Sequence, residues 1–336
     1  MSPYLHIDEG RFLPALRVDG HPELIVPPLA CPFLVVRPST HSAPVQAQTL
    51  RWLEAYRLVE ARADLLDCVS TVGELTALTY PGASRESLRL ASDWTTLFFL
   101  MDDLVEERGA APEAISALNA RYLAVLGGEA PGAGAGPVLH ALWDVRERLA
   151  GVASAQWLRR FRSRVEEWLG AHVWETRNRA DRTVPDVASY VHMRQYSVGM
   201  YFEFLLSELT DGYALPAEVE SHEAVARLAR HANNQIAWAN DVMTLGKELR
   251  QGDVHNLVIT LWKREGLELQ AALERAVAMH NEEVARFQAL ARGLPSFGEA
   301  DGALQGLVQA LRHYMGGHLG WGYSARRYRP LEVGTP

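Results

Sequence analysis

Apolar residues recur at every third or fourth position through most of the chain from about Gln46 onward, with charges between them, as in TLRWLEAYRLVEARADLLDCV. That spacing predicts amphipathic α-helices. No run alternates with period two and closes on an Asn-Gly or Asp-Gly turn, so strand signals are nearly absent. Residues 1–45 differ. Pro14, Pro22, Pro27, Pro28, Pro32, Pro38 and Pro44 interrupt short apolar runs, and no helical period is sustained. They are expected to form an irregular segment on the surface of the domain. Later breaks fall at Gly127–Pro137, at Pro185, which should open a helix with Asp186 in its first turn, and around Leu294–Gly302. There is no internal repeat, and no linker is rich enough to separate the chain into domains. The expectation is one all-α domain over 46–330, a bundle of roughly ten helices, with a short tail at 331–336.

Composition narrows the function. The chain has 336 residues, 48% hydrophobic and 22% charged, ordinary for a globular protein. A net charge of −8 argues against nucleic acid as the main partner, but a small anion remains open because bound cations can invert a local field. The apolar runs near Leu29–Val36 and Leu97–Met101 are too short to span a bilayer. The N-terminus lacks a basic region followed by an apolar one, so no export signal is expected. Cys31 and Cys68 have no metal-site partners and are expected to be buried thiols in a reducing cytoplasm.

The most informative chemistry lies in the run from Asn240 to Glu248. Asn240, Thr244 and Glu248 recur every fourth residue, and each such step turns a helix face by only about 40°. An amide, a hydroxyl and a carboxylate on one stripe suit Mg²⁺, and no Cys or His shares the stripe to suit zinc. Lys247 flanks it. Upstream, an apolar helix ends in Asp102, Asp103, Glu106 and Glu107. Like charges at that spacing repel, and a divalent cation would relieve them. Arg194, Arg327 and Tyr328 offer donors that match phosphate oxygens. Taken singly, each feature also fits a solvated helix face.

Together these motifs closely resemble the bacterial class I terpene synthases. The resemblance runs from roughly Trp52 to Tyr328 and includes Tyr80-Pro81-Gly-Ala before the first acidic helix and Asp253-Val-His-Asn256-Leu-Val after the second. Arg194 lies 46 residues before Asn240, where this family carries its diphosphate-sensing arginine. The resemblance implies a single-domain class I terpenoid synthase bundle with a deep central apolar pocket and three Mg²⁺ ions. Asp102 would bind metal, with Asp103, Glu106 and Glu107 in support, and Asn240, Thr244 and Glu248 would hold another ion. Arg194, Lys247, Arg327 and Tyr328 would contact diphosphate, and Ser197 and Val198 would form the helix break behind Arg194. Glu106 stands where the family commonly has aspartate, which leaves open whether it or Glu107 assists the metal.

The implied reaction ionises an allylic diphosphate and needs a dry pocket with π faces. Trp94, Phe98, Phe99, Tyr201, Phe202, Trp238 and Trp321 are the candidate walls, with Phe98, Phe99 and Trp321 favoured by motif position. The expected activity is that of a Mg²⁺-dependent cyclase making a cyclic sesquiterpene from farnesyl diphosphate. A diterpene cyclase using geranylgeranyl diphosphate is the runner-up, and a non-catalytic helical binding protein is the alternative from another class. A chain-elongating prenyltransferase would carry two aspartate-rich motifs, which this sequence does not. A homodimer is compatible with the family, although no interface is legible.

Overall fold

The computed structural model describes residues 4–5, 15–18, 20–33, 35–36, 39–58, 69–107 and 111–324. Thirteen α-helices lie within them: α1 (Ser42–Ala55), α2 (Val72–Thr79), α3 (Arg85–Glu107), α4 (Pro112–Leu126), α5 (Pro137–Ala150), α6 (Ala155–Asp181), α7 (Val187–Ser197), α8 (Met200–Asp211), α9 (Ala217–Glu220), α10 (Glu223–Gln251), α11 (Leu257–Arg264), α12 (Leu269–Arg292) and α13 (Asp301–Ser324). The all-α expectation holds, with more helices than expected because several are short.

Helix ends follow local chemistry. Ser154 Oγ accepts from Trp157 N to cap α6, and Asp186 caps α7 by accepting from Ser189 N at 2.9 Å. Asp186 is therefore the cap and not a first-turn residue, because its extended backbone points the carboxylate back at the orphan amides. Helix α1 starts at Ser42, four residues before the expected change of texture, since Pro44 in the first turn gives up an amide that needs no helical partner.

The proline-rich segment is less irregular than expected. Two strand pairs form, β1 (Tyr4–Leu5) with β4 (Val35–Val36), and β2 (Ala15–Leu16) with β3 (Leu24–Ile25), both antiparallel. Each strand is two residues long, too short for a period-two pattern to show. The segment also contributes to the core, because Leu24, Leu29 and Phe33 are buried and Phe33 meets Phe287 of α12 edge to face at 5.6 Å. Cys31 is half-buried, not fully buried as expected, and Cys68 lies outside the described residues.

The long helix α10 packs along α12 and α13, and α13 crosses α2 closely. A Cβ on Gly317 of α13 would stand 2.8 Å from the Leu78 backbone, so only glycine permits that approach. Helices α7 and α8 are separated by Val198 and Gly199, the latter at φ +75°. A side chain at Gly199 would strike Phe98 and Phe202 at 2.8 Å. The helix break and the aromatic wall are thus built against each other.

Candidate active site

Helices α3 and α10 meet at one cleft of about 890 Å³, counting its open mouth. Its apolar lining includes Leu75, Phe98, Met200 and Ile236, all buried. Its polar lining includes Asp102, Asn240, Lys247 and Glu248, which are partly buried, and Glu175, His255 and His318, which are buried. Thr244, Arg194, Ser197, Val198 and Phe99 also line it. The two acidic segments, far apart in sequence, share one space.

A buried network sets the α10 side. Arg194 pairs with Asp241 at 2.8 Å and donates to Asn240 Oδ1 at 2.8 Å. Tyr190 OH donates to the same Asp241 carboxylate at 2.7 Å, as does Leu257 N at 2.9 Å. Burial pushes the Asp241 carboxyl up, opposed chiefly by Arg194. Burial would lower the Arg194 guanidinium, but Asp241 holds it well above its ordinary value. Asn256 joins in with both amide hydrogens, to Asp241 O and Glu248 Oε2 at 2.6 Å each, while its Oδ1 caps α11 through Val258 N. One arginine, one aspartate and one asparagine thereby lock α7, α10 and α11 around the stripe.

Helix α6 adds Glu175 and Arg179 to the lining and carries His172 on the same face, the three spaced three and four apart. His172 Nε2 donates to Asp102 Oδ1 at 3.0 Å. Arg179 pairs with Asp253 at 3.0 Å, and Asp253 also accepts from His255 Nδ1 at 2.9 Å. Burial would raise the Asp253 carboxyl, but His255 and Arg179 outweigh it and hold the group far below the carboxylate range.

The Asn240, Thr244 and Glu248 set fits a hard cation. Thr244 Oγ1 spends its hydrogen on Asn240 O at 2.8 Å, leaving lone pairs for another partner. Burial and the neighbouring Asp241 raise the Glu248 carboxyl to about 8, so its ionised form calls for an added positive charge. No group of three or more His, Cys, Asp and Glu side chains placed to hold a metal occurs among the described residues.

Residues 93–286 match the family model described as terpene synthase family 2, C-terminal metal binding. The chain is 36% identical over 88% of its length, and 91% of the relative, to the (+)-T-muurolol synthase of Roseiflexus castenholzii, which cyclises farnesyl diphosphate. The chain belongs to the terpene synthase family. The germacrene A synthase of Nostoc punctiforme is 31% identical over 92% of this terpene synthase and 97% of its own length. Among solved structures, the linalool/nerolidol synthase of Streptomyces clavuligerus superposes with a TM-score of 0.78 at 26% identity, covering 88% of this chain and 99% of that one.

The remaining residues expected at this terpene synthase's site fall into four groups. Asp103 is buried beside Asp102 but is not part of the cleft lining. Glu106 and Glu107 lie on α3 with side chains outside the described residues, as do Arg327 and Tyr328 entirely. Trp94, Phe202, Trp238 and Trp321 are buried behind the lining instead of in it. Trp94 and Phe202 pack edge to face at 5.4 Å, Trp238 turns toward Tyr190, and Trp321 stacks on Phe99 at 6.2 Å while its Nε1 donates to Thr71 Oγ1. Tyr201 faces another depression, under Arg164. For Trp238 the reason is helical phase, since two residues' offset from Asn240 turns its ring away from the stripe, whereas Trp94 shares a face with Phe98 one turn further along α3.

Sequence reasoning missed Asp241, His172, Glu175, Arg179 and His318, and it singled out Asp253 and Asn256 without a role. Asp241 adjoins Asn240, and the α6 trio shows helical spacing, but neither signal says what the side chains meet.

Proposed function

We propose that this terpene synthase is a Mg²⁺-dependent cyclase that converts farnesyl diphosphate into a cyclic sesquiterpene and releases diphosphate. The observation that carries the reading is the joining of Asp102 with Asn240, Thr244 and Glu248 at a cleft also lined by Leu75, Phe98, Phe99, Met200 and Ile236. Support for the substrate comes from the farnesyl diphosphate named for the Roseiflexus relative.

Asp102 on α3, with Glu106 or Glu107 assisting, and the Asn240, Thr244 and Glu248 stripe on α10 would hold three Mg²⁺ ions. When bound, the metal supplies positive charge that stabilises the departing diphosphate. His172 orients Asp102 for that task. Arg194 and Lys247, together with Arg327 and Tyr328, take the diphosphate oxygens. Arg194 already bridges the helix break and the stripe, so an anion that engages it acts on both. Phe98 and Phe99 then offer π faces to the allylic cation, each worth ~0.5–2 kcal/mol when desolvated. Leu75, Met200 and Ile236 exclude the water that would quench it early. A cytoplasmic setting, expected from the sequence, and a homodimer, compatible with the family, belong to the same proposal.

The test is incubation with farnesyl diphosphate and Mg²⁺, with gas chromatography of the extract and a separate assay of released diphosphate. A cyclic sesquiterpene and diphosphate are expected, both abolished by a chelator and restored by Mg²⁺. Neither product with Mg²⁺ present would overturn the reading.

A further inference from the structure

His318 on α13 lines the cleft one helical turn beyond Tyr314, which also lines it. The residue is 7% exposed, and its Nδ1 is buried with no hydrogen-bond partner. The contrast with His280, a buried imidazole in a structural setting, is direct. His280 donates from Nδ1 to Asn281 Oδ1 at 2.9 Å and accepts at Nε2 from Gln235 Nε2 at 2.8 Å. Burying a polar nitrogen without a partner costs about 1–3 kcal/mol, and a histidine used only for packing is easily replaced by an apolar side chain. The imidazole lines the cleft, which places the open part of its ring against the substrate.

The surroundings keep this ring neutral. Burial, then the charge of Arg194 on α7, then His280 on α12 lower His318 to about 4. A neutral imidazole carries one N–H and one lone pair, so the group offers a base that adds no positive charge to a cation pocket. Its weakness in water is no obstacle, because a C–H bond beside a carbocation centre is a very strong acid. The remaining cleft-lining polar groups on α3, α6 and α10 are the ones already placed toward metal and diphosphate, or bound up in ion pairs.

Resting on the cyclase reading above, we propose that His318 is the base that ends the reaction by taking a proton from carbon. The C–H bond next to the cationic centre breaks, its electron pair becomes the new C=C π bond, and the proton goes to the imidazole lone pair. No oxidant or reductant takes part. The imidazolium then gives its proton to the released diphosphate, the stronger base, and Arg194 and burial favour that return. The product is an olefin.

The test compares the wild type with His318→Ala and His318→Asn, using the full chain with farnesyl diphosphate and Mg²⁺. Product profile and diphosphate release are measured separately, and thermal melting confirms folding. Ionisation precedes proton loss, so diphosphate release is expected to stay within about threefold of wild type. The share of the wild-type olefin is expected to fall by about 10²-fold in both variants, the low end of what a positioned base contributes. Other olefins or water-captured alcohols should replace it. An unchanged profile in either folded variant overturns the proposal, since Asn keeps a hydrogen-bonding group but no base. A wild-type product that is solely an alcohol also overturns it. If Ala does not fold, the Asn variant decides alone. A wild type that releases no diphosphate defeats the cyclase reading instead, so the two failures are distinguishable.

Discussion

Glu248 shows how much of the site is a matter of one side chain's surroundings. Burial and the Asp241 charge hold its carboxyl near 8, against an ordinary value of 4.5. Between those values the folded protein keeps a proton that the unfolded chain has lost. Stability from this group is therefore full below about pH 4.5 and falls as pH rises through about 8. Glu248→Gln removes the titration while its amide oxygen can still accept from Asn256. In chelator, denaturant unfolding across that window is expected to show a flatter pH profile for the variant than for the wild type, with the variant the more stable above pH 8. Mg²⁺ should stabilise the wild type increasingly with pH, because a carboxylate ligand must be deprotonated, and should do nothing comparable for the variant. Parallel profiles for the two proteins would show that this carboxyl is not strained by its site.

At the scale of elements, the cleft depends on three helices being tied at one aspartate. Asp241 of α10 receives Arg194 and Tyr190 from α7 and Leu257 N from α11. Asp241→Asn keeps the shape and removes the charge, leaving the Arg194 guanidinium buried without its main counterion. A loss of about 3–5 kcal/mol is expected from breaking such a pair, read as a lower urea midpoint. A loss within experimental error would mean that the helices are held by packing alone. This tie marks where sequence reading stopped. The polar stripe on α10 was legible because Asn240, Thr244 and Glu248 repeat at helical spacing and differ from their apolar neighbours. Asp241 stands about 100° round the same helix, and its partners lie on other helices, so pairing with Arg194 depends on how α7 crosses α10. The same limit explains the tryptophans. Trp94 and Trp238 were readable as large apolar residues near the motifs, but whether a ring lines the cleft or backs it is decided by its depth along the helix and by helix rotation, which residue type does not encode.

At the scale of the whole molecule, residues 25–30 are joined to helix α10 by a chain of hydrogen bonds. Gln270 of α12 acts as a surrogate strand partner, donating to Ile25 O and accepting from Ile25 N, each at 2.9 Å. Asn281 then grips the next stretch, accepting from Ala30 N at 2.8 Å and donating to Pro28 O at 3.1 Å. The same Asn281 oxygen receives His280 Nδ1, and His280 in turn takes a hydrogen from Gln235 of α10. None of this was visible in a segment that reads as prolines and short apolar runs, because the partners lie some 250 residues away. Asn281→Ala removes two bonds to the segment, each worth about 0.5–1.5 kcal/mol net, but leaves Phe33 against Phe287. Local opening is then expected to increase without global unfolding. Limited proteolysis with mass spectrometry should find cleavage between residues 20 and 33 faster by about tenfold or more, while cleavage within α10 stays unchanged. Equal acceleration in both places would show that the segment and the helical bundle open as one unit, and that the amide tie is no separate fastening.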